Sequence, residues 1–129
     1  MRPDRFRALV SISIPIAPRG EVDPWLAERV PFPGVTPYAM SKSALLSFSR
    51  GLSGELGARG ITVNLVVPGS TDTESNPADG AGADVQRSLS SIGRYAEPRE
   101  IADAVVFLAG PAASMVTGST LTVDGGANA

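Results

Sequence analysis

The chain has 129 residues, 43% hydrophobic and 19% charged, with a formal charge of −2 at neutral pH. That suits one soluble domain with a modest core and gives no electrostatic reason to expect nucleic acid or an anionic membrane as a partner. Cysteine and histidine are absent, which excludes disulfides, thiolate or imidazole metal sites and any catalysis built on those side chains, so acid–base work must fall to carboxylates, lysine or tyrosine.

Arg2, Arg5 and Arg7 precede an apolar stretch over residues 8–17 that loosely imitates a secretory leader. The run is short, carries two serines and a proline, and lacks a small-x-small cleavage site. Val10, Ile12 and Ile14 alternate with Ser11 and Ser13, the pattern of a half-buried strand. No apolar run approaches the roughly 18 residues of a membrane span, and a cytoplasmic protein is expected. Six prolines (15, 18, 24, 31, 33, 37) then make residues 15–37 a connecting segment of unusual length for a compact domain.

A helix is predicted over residues 37–58, with Thr36 as its cap and Pro37 at its first position. Leu45, Phe48, Leu52 and Leu56 form its expected apolar stripe, and Gly60 can end it in a left-handed cap next to Arg59. Ile61-Thr-Val-Asn-Leu-Val-Val67 reads as a central parallel strand buried on both faces, stopped by Pro68-Gly69. Residues 70–93 are polar, with Gly80, Gly82 and the Asn76-Pro77 turn signal, and read as a mobile flap carrying a short helix near residues 85–89. Pro98 opens a further helix whose buried face is marked by Ile101, Val105 and Leu108 and which Gly110-Pro111 closes. Ser119-Thr-Leu-Thr-Val123 is the last predicted strand. The order strand, helix, strand, helix, strand predicts an α/β domain: a parallel sheet with right-handed crossovers and a ligand site beyond the carboxyl ends of its strands.

Tyr38 and Lys42 stand four apart at the start of the first helix, on one face. A free phenol has a pKa of about 10, and a nearby positive charge favours the phenolate, making it a usable general acid or base. Taken alone the spacing is not specific, because it also occurs between a partly exposed tyrosine and a surface lysine.

The ordered set Tyr38-x-x-x-Lys42, Ile61-Thr-Val-Asn-Leu-Val-Val-Pro-Gly69, flap, Pro-opened helix, Val116-Thr-Gly118 and Leu121-Thr-Val-Asp-Gly-Gly126 resembles the C-terminal half of the short-chain dehydrogenases/reductases, chiefly their 3-oxoacyl-carrier-protein-reductase-like members. The likeness covers residues 25–129 and leaves 1–24 as an irregular N-terminal segment with one candidate strand. It implies a partial Rossmann-like, doubly wound parallel sheet, roughly β-loop-α-β-flap-α-β. It also implies an oxidoreductase that uses NAD or NADP to interconvert a small-molecule carbonyl and a secondary alcohol. By this resemblance Tyr38 is the proton donor to the substrate oxygen. Lys42 lowers the tyrosine's pKa and binds the nicotinamide ribose. Pro68 and Gly69 pass the nicotinamide, the Thr71 backbone meets its carboxamide, and Thr73 contacts the cofactor. Read without the resemblance, Pro68-Gly69 and Thr73 make an ordinary strand-ending turn. Asn64 and Asp124-Gly125-Gly126 resemble framework positions.

The family's Thr-Gly-x-x-x-Gly-x-Gly turn, whose glycines bring backbone up to the pyrophosphate, does not occur in these 129 residues. The residues that select NAD or NADP are not found either. The family's catalytic serine lies about thirteen residues before the tyrosine, which here reaches Trp25. Matching by strand makes Ser13 the candidate, at the cost of a longer loop. Two readings follow: a reductase completed by a missing N-terminal half, or an inactive remnant or oligomerisation module that cannot hold the dinucleotide alone and self-associates through open strand edges.

Overall fold

The computed structural model of the chain describes residues 8–12 and 36–127. Ser13, Trp25 and the proline-rich connection up to residue 35 lie outside the described residues, as do the side chains of Thr36, Tyr38 and residues 10–12. Six elements follow in order: β1 (Ala8–Ile12), α1 (Thr36–Leu56), β2 (Thr62–Pro68), α2 (Ala83–Leu89), α3 (Pro98–Ala109) and β3 (Thr120–Val123). The strands form one parallel sheet in the order β1-β2-β3, with Ala8 opposite Thr62 and Leu65 opposite Thr120.

After Thr36, α1 contains no β-branched residue, which favours the helix, while Gly51 and Gly54 each weaken it by about 1 kcal/mol. The helix therefore depends on packing. It ends through the short 3-10 turn Gly57–Arg59 into Gly60 at φ 71°, whose N–H donates to the Gly57 carbonyl at 2.9 Å. This is the predicted left-handed stop, and it reverses the chain directly into β2.

The predicted stripe on α1 needs one correction. Phe48 is 57% exposed, whereas Ser49 is buried at 2%. At about 100° per residue, Ser49 lies nearer the line through Leu45, Leu52 and Leu56 than Phe48 does. The Ser49 hydroxyl has no hydrogen-bond partner. Buried length and side-chain type thus disagree here, and helical phase decides.

β2 is buried from Val63 to Val66 and again at Pro68. Val66 packs with Ile101 and Leu108 of α3, Ala113, Leu121 and Val123. Side chains alternate across a strand, so Val63 and Leu65 point to the opposite face, where α1 packs on β2. The sheet is thus covered on both faces, in the doubly wound manner. The two crossovers step the same way across the sheet with their helices on opposite faces, so they are of opposite hand. The expectation of right-handed crossovers throughout is therefore corrected. The flap lies in the 29 residues between β2 and α3, whereas the usual handedness comes from a helix following its strand through a short loop (about 2–6 residues).

Asn64, fully buried, fastens β2 to the segment that leads into β3. Its Nδ2 donates to the Val116 carbonyl at 2.9 Å, and its Oδ1 accepts from the Ser119 N–H at 3.2 Å. Val63 adds N–H to Thr117 Oγ1 at 3.1 Å and accepts from the Gly118 N–H at 2.7 Å. The flap is laced at its neck as well. The Asp72 N–H donates to the Ala96 carbonyl and the Ala96 N–H to the Ser70 carbonyl, both at 2.9 Å. Ser90 and Ser91 hydroxyls donate to the Gly125 and Gly126 carbonyls at 3.1 Å each.

Removing the Asn64 amide leaves two part-buried backbone groups without their partner, so Asn64→Ala is expected to cost about 1–3 kcal/mol in urea unfolding. Ser49→Ala removes an unpaired buried hydroxyl and should be neutral or stabilising by up to about 1 kcal/mol. The reverse ranking of the two variants would contradict this account of β2 and α1.

Candidate functional site

α1 runs back along β2, so its first turns lie at the edge where the parallel strands end. From Leu56 back to Lys42 the helix rises about 21 Å, while β2 climbs about 20 Å from Thr62 to Pro68. Lys42 is therefore level with Pro68-Gly69, and Tyr38 stands about one turn beyond, on the same helical face. The topology alone brings Tyr38, Lys42, Pro68 and Gly69 to one edge. Lys42 is half-buried and Ser41 exposed. The chain's other tyrosine, Tyr95, is 6% exposed, and burial pushes its phenol above the ordinary value, opposite to what an acid–base group at neutral pH needs.

Pro68 and Gly69 are buried at the end of β2, where the Gly69 N–H continues the ladder to the Val123 carbonyl at 2.9 Å. A Cβ on Gly69 would stand 2.6 Å from the Asp124 Cα. Glycine is thus required here by the neighbouring strand end, whatever else approaches the turn. Thr71 is half-buried; its hydroxyl donates back to the Gly69 carbonyl at 3.1 Å, and its carbonyl accepts from Asn76 Nδ2 at 3.3 Å. Its N–H has no partner among the described residues, which leaves one oriented backbone donor at the edge. Thr73 is exposed and closes a tight turn: its N–H donates to the Asn76 carbonyl at 3.3 Å, and the Asn76 N–H returns to its carbonyl at 3.0 Å. Asn76 was read in the sequence only as half of a turn signal; its side chain proves to be the hub of this segment. Ser13 falls outside the described residues.

A cavity of about 100 Å³ opens at the same edge between Ser70, Ile92, Arg94, Glu100 and Asp124. Arg94 grips Glu100 with two hydrogen bonds of 2.7 and 2.6 Å, and Glu100 also accepts the Glu97 N–H at 2.8 Å at the start of α3. The guanidinium, then the backbone N–H, hold the Glu100 carboxyl down to about 2, and the pairing raises Arg94 above its ordinary value. Pro98 fixes where α3 begins, and Glu100 satisfies an N–H that the helix itself cannot pair. No helix among the described residues is long and apolar enough to cross a membrane.

A carboxyl depressed in the folded state stabilises it above the unfolded value of about 4.3, and the contribution drains away as pH falls towards the folded value. Between about pH 5 and pH 2 the wild-type melting temperature should therefore fall towards that of Glu100→Gln. Parallel curves across this window would show that the pair with Arg94 does not form in solution.

The comparisons with known proteins agree with this architecture. The sequence model of the family described as Enoyl-(Acyl carrier protein) reductase matches residues 25–128. The chain is 50% identical over 98 residues to the cyclic-di-GMP-binding biofilm dispersal mediator protein of Escherichia coli (strain K12), covering 76% of this chain and 41% of that protein. It is 45% identical over 97 residues to a 3-oxoacyl-(acyl-carrier-protein) reductase of Vibrio harveyi, covering 72% and 38%. Among solved structures, a short-chain dehydrogenase from Burkholderia cenocepacia J2315 in complex with NADP superposes with a TM-score of 0.79 at 48% identity, over 95% of this chain and 46% of that one. The chain thus spans less than half the length of these relatives.

Proposed function

Because the chain belongs to the short-chain dehydrogenase/reductase family, we propose that its carboxyl-edge site serves NAD(P)-dependent interconversion of a small-molecule carbonyl and a secondary alcohol. What supports this reading is that α1, whose first turns carry Tyr38 and Lys42, packs on β2, the strand that ends at Pro68-Gly69. A bound nicotinamide would supply the hydride chemistry; the protein's part is to place the reactants and handle the proton. Tyr38 donates the proton to the substrate oxygen in the direction of reduction. Lys42, on the same helical face, holds positive charge near the phenol and binds the nicotinamide ribose. Gly69 presents a surface without a side chain, Thr71 offers its open N–H to the carboxamide, and Thr73 approaches the cofactor from the exposed turn. Ser13 is the candidate for the substrate-orienting serine.

The donors present fit the nicotinamide end of the cofactor. The adenosine and pyrophosphate end has no counterpart, because no Thr-Gly-x-x-x-Gly-x-Gly turn occurs in these 129 residues. That observation favours a second reading, in which this stretch by itself is catalytically silent and turnover needs a partner or further chain that brings the phosphate-binding turn. Self-association of the isolated chain through its open strand edges belongs to the same reading.

Titrated with NADPH, the 129-residue chain is expected to show no saturable quenching of its single tryptophan, Trp25. A dissociation constant below about 100 μM would overturn the half-site reading. In an assembly that reduces ketones with NADPH, Tyr38→Phe should lower kcat by about 10²–10⁴-fold, the usual worth of a general acid. A variant that kept wild-type turnover would remove Tyr38 from the chemistry.

A further inference from the structure

One side chain ties the Thr71 carbonyl to the flap helix. Asn76 Nδ2 donates to the Thr71 carbonyl at 3.3 Å and to Gln86 Oε1 at 3.4 Å, while Gln86 Nε2 donates back to Asn76 Oδ1 at 3.4 Å. A carbonyl only accepts, so the Asn76 atom facing Thr71 is its nitrogen. The reciprocal pairing then fixes the orientation of the Gln86 amide as well. Both N–H groups of Asn76 and its oxygen are thereby used. Gln86 sits on α2, so the flap helix is joined through Asn76 to the peptide that follows β2.

The rest of that peptide is equally constrained. Ser70 carbonyl and Asp72 N–H, on either side of Thr71, are both tied to Ala96. Asp72 Oδ1 accepts the Ala78 N–H at 2.8 Å, closing the loop around Asn76. What remains unengaged on Thr71 is its N–H. Peptide groups held from every other side cannot rotate to satisfy that donor elsewhere, and a pre-set donor gains affinity by avoiding the cost of ordering on binding.

We infer that Asn76, braced by Gln86 of the flap helix, is a positioning residue: it holds the Thr71–Asp72 peptide while Ala96 holds the Ser70 carbonyl, and the Thr71 backbone fixed between them keeps its N–H aimed to bond the carboxamide oxygen of a nicotinamide. The inference rests on the cofactor reading above. Asn76 touches neither substrate nor cofactor and acts through Thr71. Its bonds of 3.3–3.4 Å are longer than the usual 2.9–3.0 Å. Flap helix and cofactor turn are thereby coupled: loss of Gln86 weakens the hold on Thr71 from a distance.

The test uses the isotopically labelled 129-residue chain with nicotinamide mononucleotide, which carries the carboxamide and ribose without the adenosine half, at roughly 10–50 mM, where contacts far weaker than the 100 μM limit set for NADPH still shift an amide resonance. Asn76→Ala is expected to move the Thr71 carbonyl-carbon resonance upfield, and to weaken the probe-induced shift of the Thr71 N–H by about three- to tenfold in apparent affinity, the worth of one hydrogen bond. Gln86→Ala should do the same to a smaller extent. The exchanged pair, Asn76→Gln with Gln86→Asn, should recover both signals, which a loss of general stability would not. An unmoved Thr71 carbonyl in Asn76→Ala, or no recovery in the exchanged pair, overturns the positioning role while leaving probe binding intact. Failure of the probe to shift the Thr71 N–H of the wild-type chain overturns the carboxamide reading, and this inference with it.

Discussion

The doubly buried strand β2 is the constraint on which the rest of the structure depends. It is paired at both edges, to β1 and β3, and covered on both faces, by α1 and α3. A strand in that position must satisfy every polar group it carries, and Asn64 is the consequence: its amide serves as a side-chain rung to Val116 and Ser119 where two backbones diverge. Because β2 is fixed on all sides, the turn that leaves its carboxyl end is fixed too. The position of Pro68-Gly69 and the level of Lys42 beside it follow from that rigidity.

The composition of the elements made most of the architecture readable from the amino-acid order. The nearly continuous apolar run of β2, rich in β-branched residues, Pro98 at the start of α3 and Gly60 after α1 each act through local sterics, which need no knowledge of neighbours. Properties set by neighbours were not readable. Phe48 is the larger hydrophobe, yet Ser49 faces the sheet, because helix phase relative to β2 is decided by the whole line of Leu45, Leu52 and Leu56. The opposite hand of the two crossovers follows from helices on opposite faces of the sheet, which no periodicity encodes. The flap's hydrogen bonds link residues far apart in sequence, so a polar, glycine-bearing stretch concealed an ordered set of ties. The family likeness placed Tyr38, Lys42, Pro68, Gly69, Thr71 and Thr73, but Asn76 carried no signal beyond a turn.

The site has a division of labour that follows from geometry. One end of the cofactor would meet single backbone groups and two side chains on rigid elements, which orient but bind weakly. The other end, in this family, is held by a glycine-rich turn whose N–H groups converge on phosphate charge. On the proposed reading positioning and affinity are thus separable, and these 129 residues would carry the positioning part.

Ser90 and Ser91 close the flap onto Gly125 and Gly126, while Ser70, Asp72 and Ala96 close its other side. A loop sealed at the neck is entropically insensitive to what lies at its tip, since doubling its length costs only about 0.6 kcal/mol. Added length at the exposed tip near Asp79 is therefore little felt by the sheet. That is a source of evolvability: the cover over the carboxyl edge of the sheet can be rewritten while the strands beneath it keep their register.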